Sequence, residues 1–93
     1  MAEAGSVSNN AEMQQYELRV GEDYALAAYE LEGDTIRFTH TEVPEELEGQ
    51  GIGSRLVKGA LADVRRRHLK VVPLCAFVRH YIETHPDTQD LLA

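Results

Sequence analysis

Glycines at positions 49, 51 and 53 alternate with Gln50 and Ile52 and run straight into the charged, periodic stretch SRLVKGALADVRRR, Ser54 to Arg67. A glycine inside a helix costs about 1 kcal/mol relative to alanine, so Gly51 and Gly53 at a helix entrance need a compensating reason. Beyond them Ile52, Leu56, Ala60 and Val64 fall on one stripe, broadened by Val57 and Leu61, while Arg55, Lys58, Arg65 and Arg66 face elsewhere. The spacing predicts an amphipathic helix from about Gln50 to His68. At its start, unpaired backbone N–H groups and the positive end of the helix dipole converge on a turn stripped of side chains, which is an anion site. Arg55 and Lys58, within the first two turns, add positive charge. On these residues alone the glycines have a second reading, a tight turn that lets the helix pack closely on a sheet.

The loop GQGIGS does not fit the two common phosphate motifs. Counted from Gly49, the third glycine of a dinucleotide fingerprint would fall on Ser54, and counted from Gly51 on Leu56. No GK followed by Ser or Thr stands at P-loop spacing.

Upstream of the glycines three runs have strand character. Tyr16, Leu18 and Val20 alternate, Tyr24 to Leu31 is almost wholly apolar, and Ile36 and Phe38 alternate with Arg37 and Thr39. Gly21 and Gly33 supply tight turns between them, so the three form an antiparallel meander that Pro44 closes. Downstream, KVVPLC is a short strand whose Pro73 has no N–H for a ladder, which puts that residue at an edge, a bulge or a gap. AFVRHYIETHP is a second helix, with Phe77, Tyr81 and Ile82 as its buried face and Pro86 as its stop. The expected order is βββαβα in one mixed α/β (α+β) domain over residues 14–93, preceded by a small, polar, aperiodic tail over residues 1–13 that is expected to be disordered.

Charge divides the chain at the glycines. Residues 1–49 carry twelve acidic and two basic side chains, residues 50–93 seven basic and four acidic, and the net charge of -7 argues against nonspecific nucleic-acid binding. One cysteine makes no internal disulfide, and four scattered histidines do not make a zinc site with it. No apolar run approaches the ~18 residues of a membrane span, and the first residues lack secretory-signal features, so the expected location is the cytoplasm. The chain is read as a monomer.

A meander, then a Q/R-x-x-G-x-G/A loop opening an amphipathic helix, then a strand and a second helix resembles the core of the GNAT acetyltransferases. EGQGIG, Glu48 to Gly53, fills the loop pattern, with Glu48 standing where the motif prefers glutamine or arginine. The chain is similar in particular to a minimal, single-domain GNAT-like branch of the YjdJ type, through HTEVPEELEGQGIGSRLV and LKVVPLCAFVRHYIETHPD. The resemblance spans roughly Tyr16 to Leu92. It implies a truncated GNAT fold, acetyl-CoA as cofactor, and a splayed strand whose gap takes the pantetheine arm. It also implies transfer of acetyl to an amine acceptor, a small molecule or a protein. Cofactor contacts are then expected from Val43 at the end of the third strand, from Gln50, Gly51, Ile52, Gly53, Ser54 and Arg55, and from Cys75 and His80.

Chemistry on a thioester needs a nucleophile, a route for its proton and a donor for the developing oxyanion. Cys75, just before the second helix, sits where a helix N-terminus lowers a thiol pKa. His40, near the end of the third strand, could act as base or hold the thiol in its reactive form, and the resemblance implies Cys75 and His40 as the catalytic pair. Direct transfer, with His40 or Glu42 receiving the proton, is the commoner route that the wider superfamily implies. Two bland readings stay open at this stage: Cys75 as a small core residue, and the whole chain as a noncatalytic CoA-binding or protein-interaction module.

Overall fold

The computed structural model describes residues 6–93. Its strands are β1 (Ser8–Asn10), β2 (Gln15–Val20), β3 (Asp23–Glu32), β4 (Thr35–Glu42) and β5 (Lys70–Pro73), and its helices α1 (Ile52–Arg66) and α2 (Ala76–Thr84), with 3-10 turns at Glu45–Leu47 and Pro86–Leu91. They form one five-stranded sheet in the order β1-β2-β3-β4-β5, antiparallel throughout except that β5 runs parallel to β4. A parallel pair needs a crossover, and α1 is that crossover. No helix among the described residues is long and apolar enough to cross a membrane.

One face of the sheet carries both helices. Tyr16 and Leu18 of β2, Ala25, Ala27 and Tyr29 of β3, and Ile36 and Phe38 of β4 are buried there, against Ile52, Leu56, Val57, Ala60, Leu61 and Val64 of α1. The alternation that predicted the meander, and the stripe that predicted α1, are this interface. Ala25 and Ala27 leave no exposed surface at all, and their small side chains let the helix lie close to the strands.

Two features depart from the reading of the sequence. Part of the stretch read as a tail is built into the fold: Ser8–Asn10 pair with β2 as an edge strand, and Val7 packs against α1 at Gly59, where an added Cβ would come within 2.4 Å of the valine. Residues 1–5 of that stretch lie outside the described residues. Phe77 is the other departure. The buried face of α2 is Val78, Tyr81 and Ile82, and Phe77 is 42% exposed.

A polar tie closes the interface between the meander and α1. The buried Tyr16 hydroxyl donates to Asp63 Oδ2 at 2.6 Å, and Arg66 and Arg67 bind the same carboxylate, which is only 18% exposed. Burial pushes the Tyr16 phenol up, and the adjacent carboxylate pushes it further. Burial pushes Asp63 up as well, but the Tyr16 hydroxyl and the two guanidinium groups outweigh it and hold the carboxyl below its usual range. A depressed carboxyl contributes stability that is present above the unfolded range near pH ~4 and is lost as pH falls through the folded value. Asp63→Ala is therefore expected to cost about 1–3 kcal/mol at neutral pH, the scale of leaving a buried donor unsatisfied. The gap to wild type in thermal melts should narrow on acidification; a gap of constant size would remove the carboxylate from the account.

Candidate active site

β4 outruns β5. Their ladder ends where Phe38 faces Pro73, and the last bond across it is from the Cys75 N–H to the Phe38 carbonyl, at 2.9 Å. The chain then turns away, with the Leu74 N–H on the Val72 carbonyl at 3.1 Å, and α2 starts at Ala76. Pro73 is tolerated because β5 is an edge strand and pairing stops there. The segment Thr39–Glu42 therefore has β3 on one side and, among the described residues, no backbone partner on the other. Unpaired backbone beside a gap is a binding edge for an extended ligand.

Within β4 the register with β3 shifts. Tyr29 lies opposite Phe38, whereas Ala28 lies opposite His40, so Thr39 is an extra residue, a β-bulge. Opposed residues share a face. Thr41, opposite the fully buried Ala27, thus returns to the helical face that Phe38 occupies, and His40 and Glu42, opposite Ala28 and Leu26, turn to the open face. Unbroken alternation would have done the reverse.

This parity sets the neighbours of the thiol. Cys75 is the N-terminal flanking residue of α2, half-buried, with Sγ 3.2 Å from Thr41 Oγ1. Burial pushes the thiol up, but the Thr41 hydroxyl, the backbone N–H groups of Val78 and Phe77, and the Arg79 guanidinium together hold it below its ordinary value. His40 bonds instead to Glu42, Nε2 to Oε2 at 2.6 Å, and its side chain is 58% exposed. No hydrogen bond joins His40 to Cys75 among the described residues, so the structure does not bring the expected pair together; Thr41 stands in the place expected of the histidine.

From the end of β4 a cleft of about 390 Å³ runs to the start of α1, lined by Thr41, Val43, Leu47 and Phe77, by Glu48 and Gly49, and by the turn from Gly51 to Ser54. Gly49 and Gly51 have φ of 81° and 74°, and an added Cβ at either would meet nothing within 4 Å. They are required by the left-handed backbone, and the space beside them is open. Gly53 is needed for another reason: its Cβ would come within 2.7 Å of the Phe77 ring. The absent side chain is what lets Phe77 lie in the cleft.

Helix α1 starts without a side-chain cap and without an acidic residue in its first turn, and its first backbone bond is from the Arg55 N–H to the Gly51 carbonyl. The N–H groups of Ile52, Gly53 and Ser54 are left for an anion. Five of the expected cofactor residues, Val43, Gly51, Ile52, Gly53 and Ser54, line this one cleft, and Cys75 touches its wall through Thr41. Three do not. Gln50 folds back onto the Glu46 carbonyl at 3.2 Å, His80 is exposed on α2, and Arg55 lines neighbouring grooves on α1 with Lys58. A larger groove of about 770 Å³ runs between α1 and α2 past Ser54, Lys58 and the stacked rings of Tyr81 and His85. Its far end is held by Arg65, which grips Asp90 through both terminal nitrogens at 2.8 Å. The arginine run at the end of α1 is thus partly structural.

Comparison with known proteins agrees with this geometry. Residues 15–91 match the family model described as GCN5-related N-acetyl-transferase. Among curated relatives, the chain is 32% identical to Protein NATD1 of Xenopus tropicalis over 88 residues, covering 91% of this chain and 81% of that one. It is 33% identical to the mouse and human forms, covering 80% and 78% of them. The solution structure of a GCN5-like protein from Staphylococcus aureus superposes with a TM-score of 0.68 at 28% identity, over 98% of this chain and 87% of that one.

Proposed function

The chain belongs to the GCN5-related N-acetyltransferase family, and from that premise we propose that it binds acetyl-CoA and moves the acetyl group to an amine. The observation that carries the reading is the junction of two openings in one cleft: the unpaired edge of β4 at Thr39–Glu42, and the uncapped start of α1 behind Gly49 and Gly51. The residues present fit such a ligand. N–H groups of Ile52, Gly53 and Ser54 would hold its pyrophosphate, the free β4 edge would bond the amides of its pantetheine arm, and Val43, Leu47 and Phe77 would cover the arm's carbon chain. When bound, acetyl-CoA supplies an acetyl group activated as a thioester.

The remaining roles fall to this chain's side chains. Cys75 and Thr41 stand on the helical face of β4, His40 and Glu42 on the open face, so the strand separates a thiol from a base. With Nε2–H donating to Glu42, the Nδ1 atom of His40 is free to take the proton that an attacking amine must lose. Glu22, Asp23 and Glu42 line a second cleft of about 330 Å³ on that side, which shares Val43 with the first; their charge suits a cationic acceptor. The cytoplasm is the proposed location.

Acetyl-CoA is expected to raise the melting temperature, and ATP and NAD at equal concentration to leave it almost unchanged, since each offers phosphates but no arm for the β4 edge. An equal rise with ATP would reduce the site to a general anion site. Mass spectrometry of amines incubated with protein and acetyl-CoA then tests transfer; binding without any transfer would leave a CoA-binding module.

A further inference from the structure

The side chain hydrogen-bonded to the Cys75 sulfur is one that sequence order conceals. Thr41 is 34 residues from Cys75 in sequence, and in uninterrupted alternation from Phe38 it would point to the open face. The extra residue at Thr39 reverses this and sets Thr41 Oγ1 3.2 Å from Sγ, with its backbone fixed opposite the buried Ala27. On the other side of the sulfur, the Cys75 N–H is tied to the Phe38 carbonyl and its carbonyl accepts from the Arg79 N–H at 3.0 Å. The Cys75 backbone is therefore held by both the strand and the helix, and its sulfur by Thr41.

We propose that Thr41 is the positioning residue of the thiol: its hydroxyl fixes the Cys75 rotamer and donates to the sulfur once the sulfur is deprotonated. The role rests on the reading of Cys75 as a reacting group but does not require acetyl-CoA. A hydroxyl that donates to a thiolate stabilises it over the thiol, so the proton released to solvent leaves more readily. The charged groups around the sulfur are few. Arg79 is one turn along α2, Glu48 lies across the cleft on the glycine turn, and His40 and Glu42 are paired with each other on the far face of β4. Arg79 acts in the same direction as Thr41, whereas His40 is not placed to act on the sulfur.

Because Cys75 is the one cysteine in the chain, its reactivity can be read directly, as the rate of alkylation by iodoacetamide across a pH series without cofactor. In that reaction the thiolate sulfur bonds to the methylene carbon and iodide leaves. Thr41→Val, which keeps the shape and removes the hydroxyl, is expected to move the midpoint of the profile to higher pH and to slow alkylation about tenfold below it, the scale of one charge-assisted hydrogen bond. Thr41→Ser should restore the wild-type midpoint, and His40→Ala should leave it in place. Melting curves for each variant establish that the fold persists. A wild-type midpoint in Thr41→Val, or an equal displacement in His40→Ala, overturns the proposal. A displaced midpoint in a protein that transfers no acetyl group would keep the Thr41 role and remove the catalytic one.

Discussion

Gly51→Asn is expected to abolish the stabilisation by acetyl-CoA while leaving the free protein close to wild type. Gly51 sits at φ 74°, a left-handed conformation that asparagine tolerates far better than other non-glycine residues. Its Cβ would meet nothing, because it would project into the open cleft beside the first N–H groups of α1. The added side chain then occupies the volume where a phosphate must approach the backbone. At a concentration about a hundred times Kd, mass action stabilises a protein by about 2.7 kcal/mol. For a domain of this size that is a rise on the order of 10 °C in Tm. The variant should lose all of it. Gly51→Val provides the contrast: a β-branched residue at this φ adds backbone strain of roughly 1–3 kcal/mol, so it should lose both stability and the ligand response. An undiminished acetyl-CoA shift in Gly51→Asn would place the pyrophosphate away from this turn.

The fold was legible because its parts obey period rules that single residues advertise. Ile36 and Phe38 alternate and are buried; Ile52, Leu56, Ala60 and Val64 repeat at helical spacing and are buried. Gly49 and Gly51 marked a turn stripped of side chains, and the structure adds that both take positive φ there. What escaped has a common cause, namely that a residue's partner decided its place. A bulge costs one residue and leaves no composition signal, so Thr39 gave no warning that Thr41 rather than His40 would share a face with Phe38. Phe77 and Val78 are both apolar, and a helix of nine residues is too short for its stripe to choose between them. The choice was made by Gly53, whose missing side chain opens a seat for the Phe77 ring. The edge strand Ser8–Asn10 is polar because it packs mainly through its backbone, and its asparagines bond to side chains of β3 and β2, Asn9 accepting from the Tyr29 hydroxyl at 2.6 Å and Asn10 donating to Glu17 at 3.0 Å. The one sequence signal for such a break is a small or polar residue just before the strand end, which Thr39 shares with many others.

Under the proposed transfer, Cys75→Ala is expected to remove the acetyl group that the wild-type protein should acquire from acetyl-CoA. In the proposed reaction the deprotonated sulfur would attack the thioester carbonyl carbon, forming a new S–C bond while the coenzyme's sulfur leaves as its thiolate, so that atoms and charge balance without a further reactant. Intact wild-type protein should gain one acetyl group that hydroxylamine takes off, and the variant none. If the amine is served from this acetyl-cysteine, transfer to it should fall on the order of a thousandfold or more, the scale of removing a covalent nucleophile. In the proposed reaction the two steps would fall to different side chains. His40 is on the opposite face of β4 from the sulfur and is paired with Glu42, so His40→Ala should leave the labelling of Cys75 near its wild-type rate and slow the second step, in which the amine loses its proton and the Cys75 sulfur departs. General-base removal is worth roughly 10²–10⁴-fold, large enough to make acetyl-cysteine accumulate in that variant. If amine acetylation instead survives Cys75→Ala at a near wild-type rate, the acceptor attacks the coenzyme's thioester directly. The thiol would then be a wall of the cleft, held by Thr41 for packing, and His40 with Glu42 would carry the proton transfer alone.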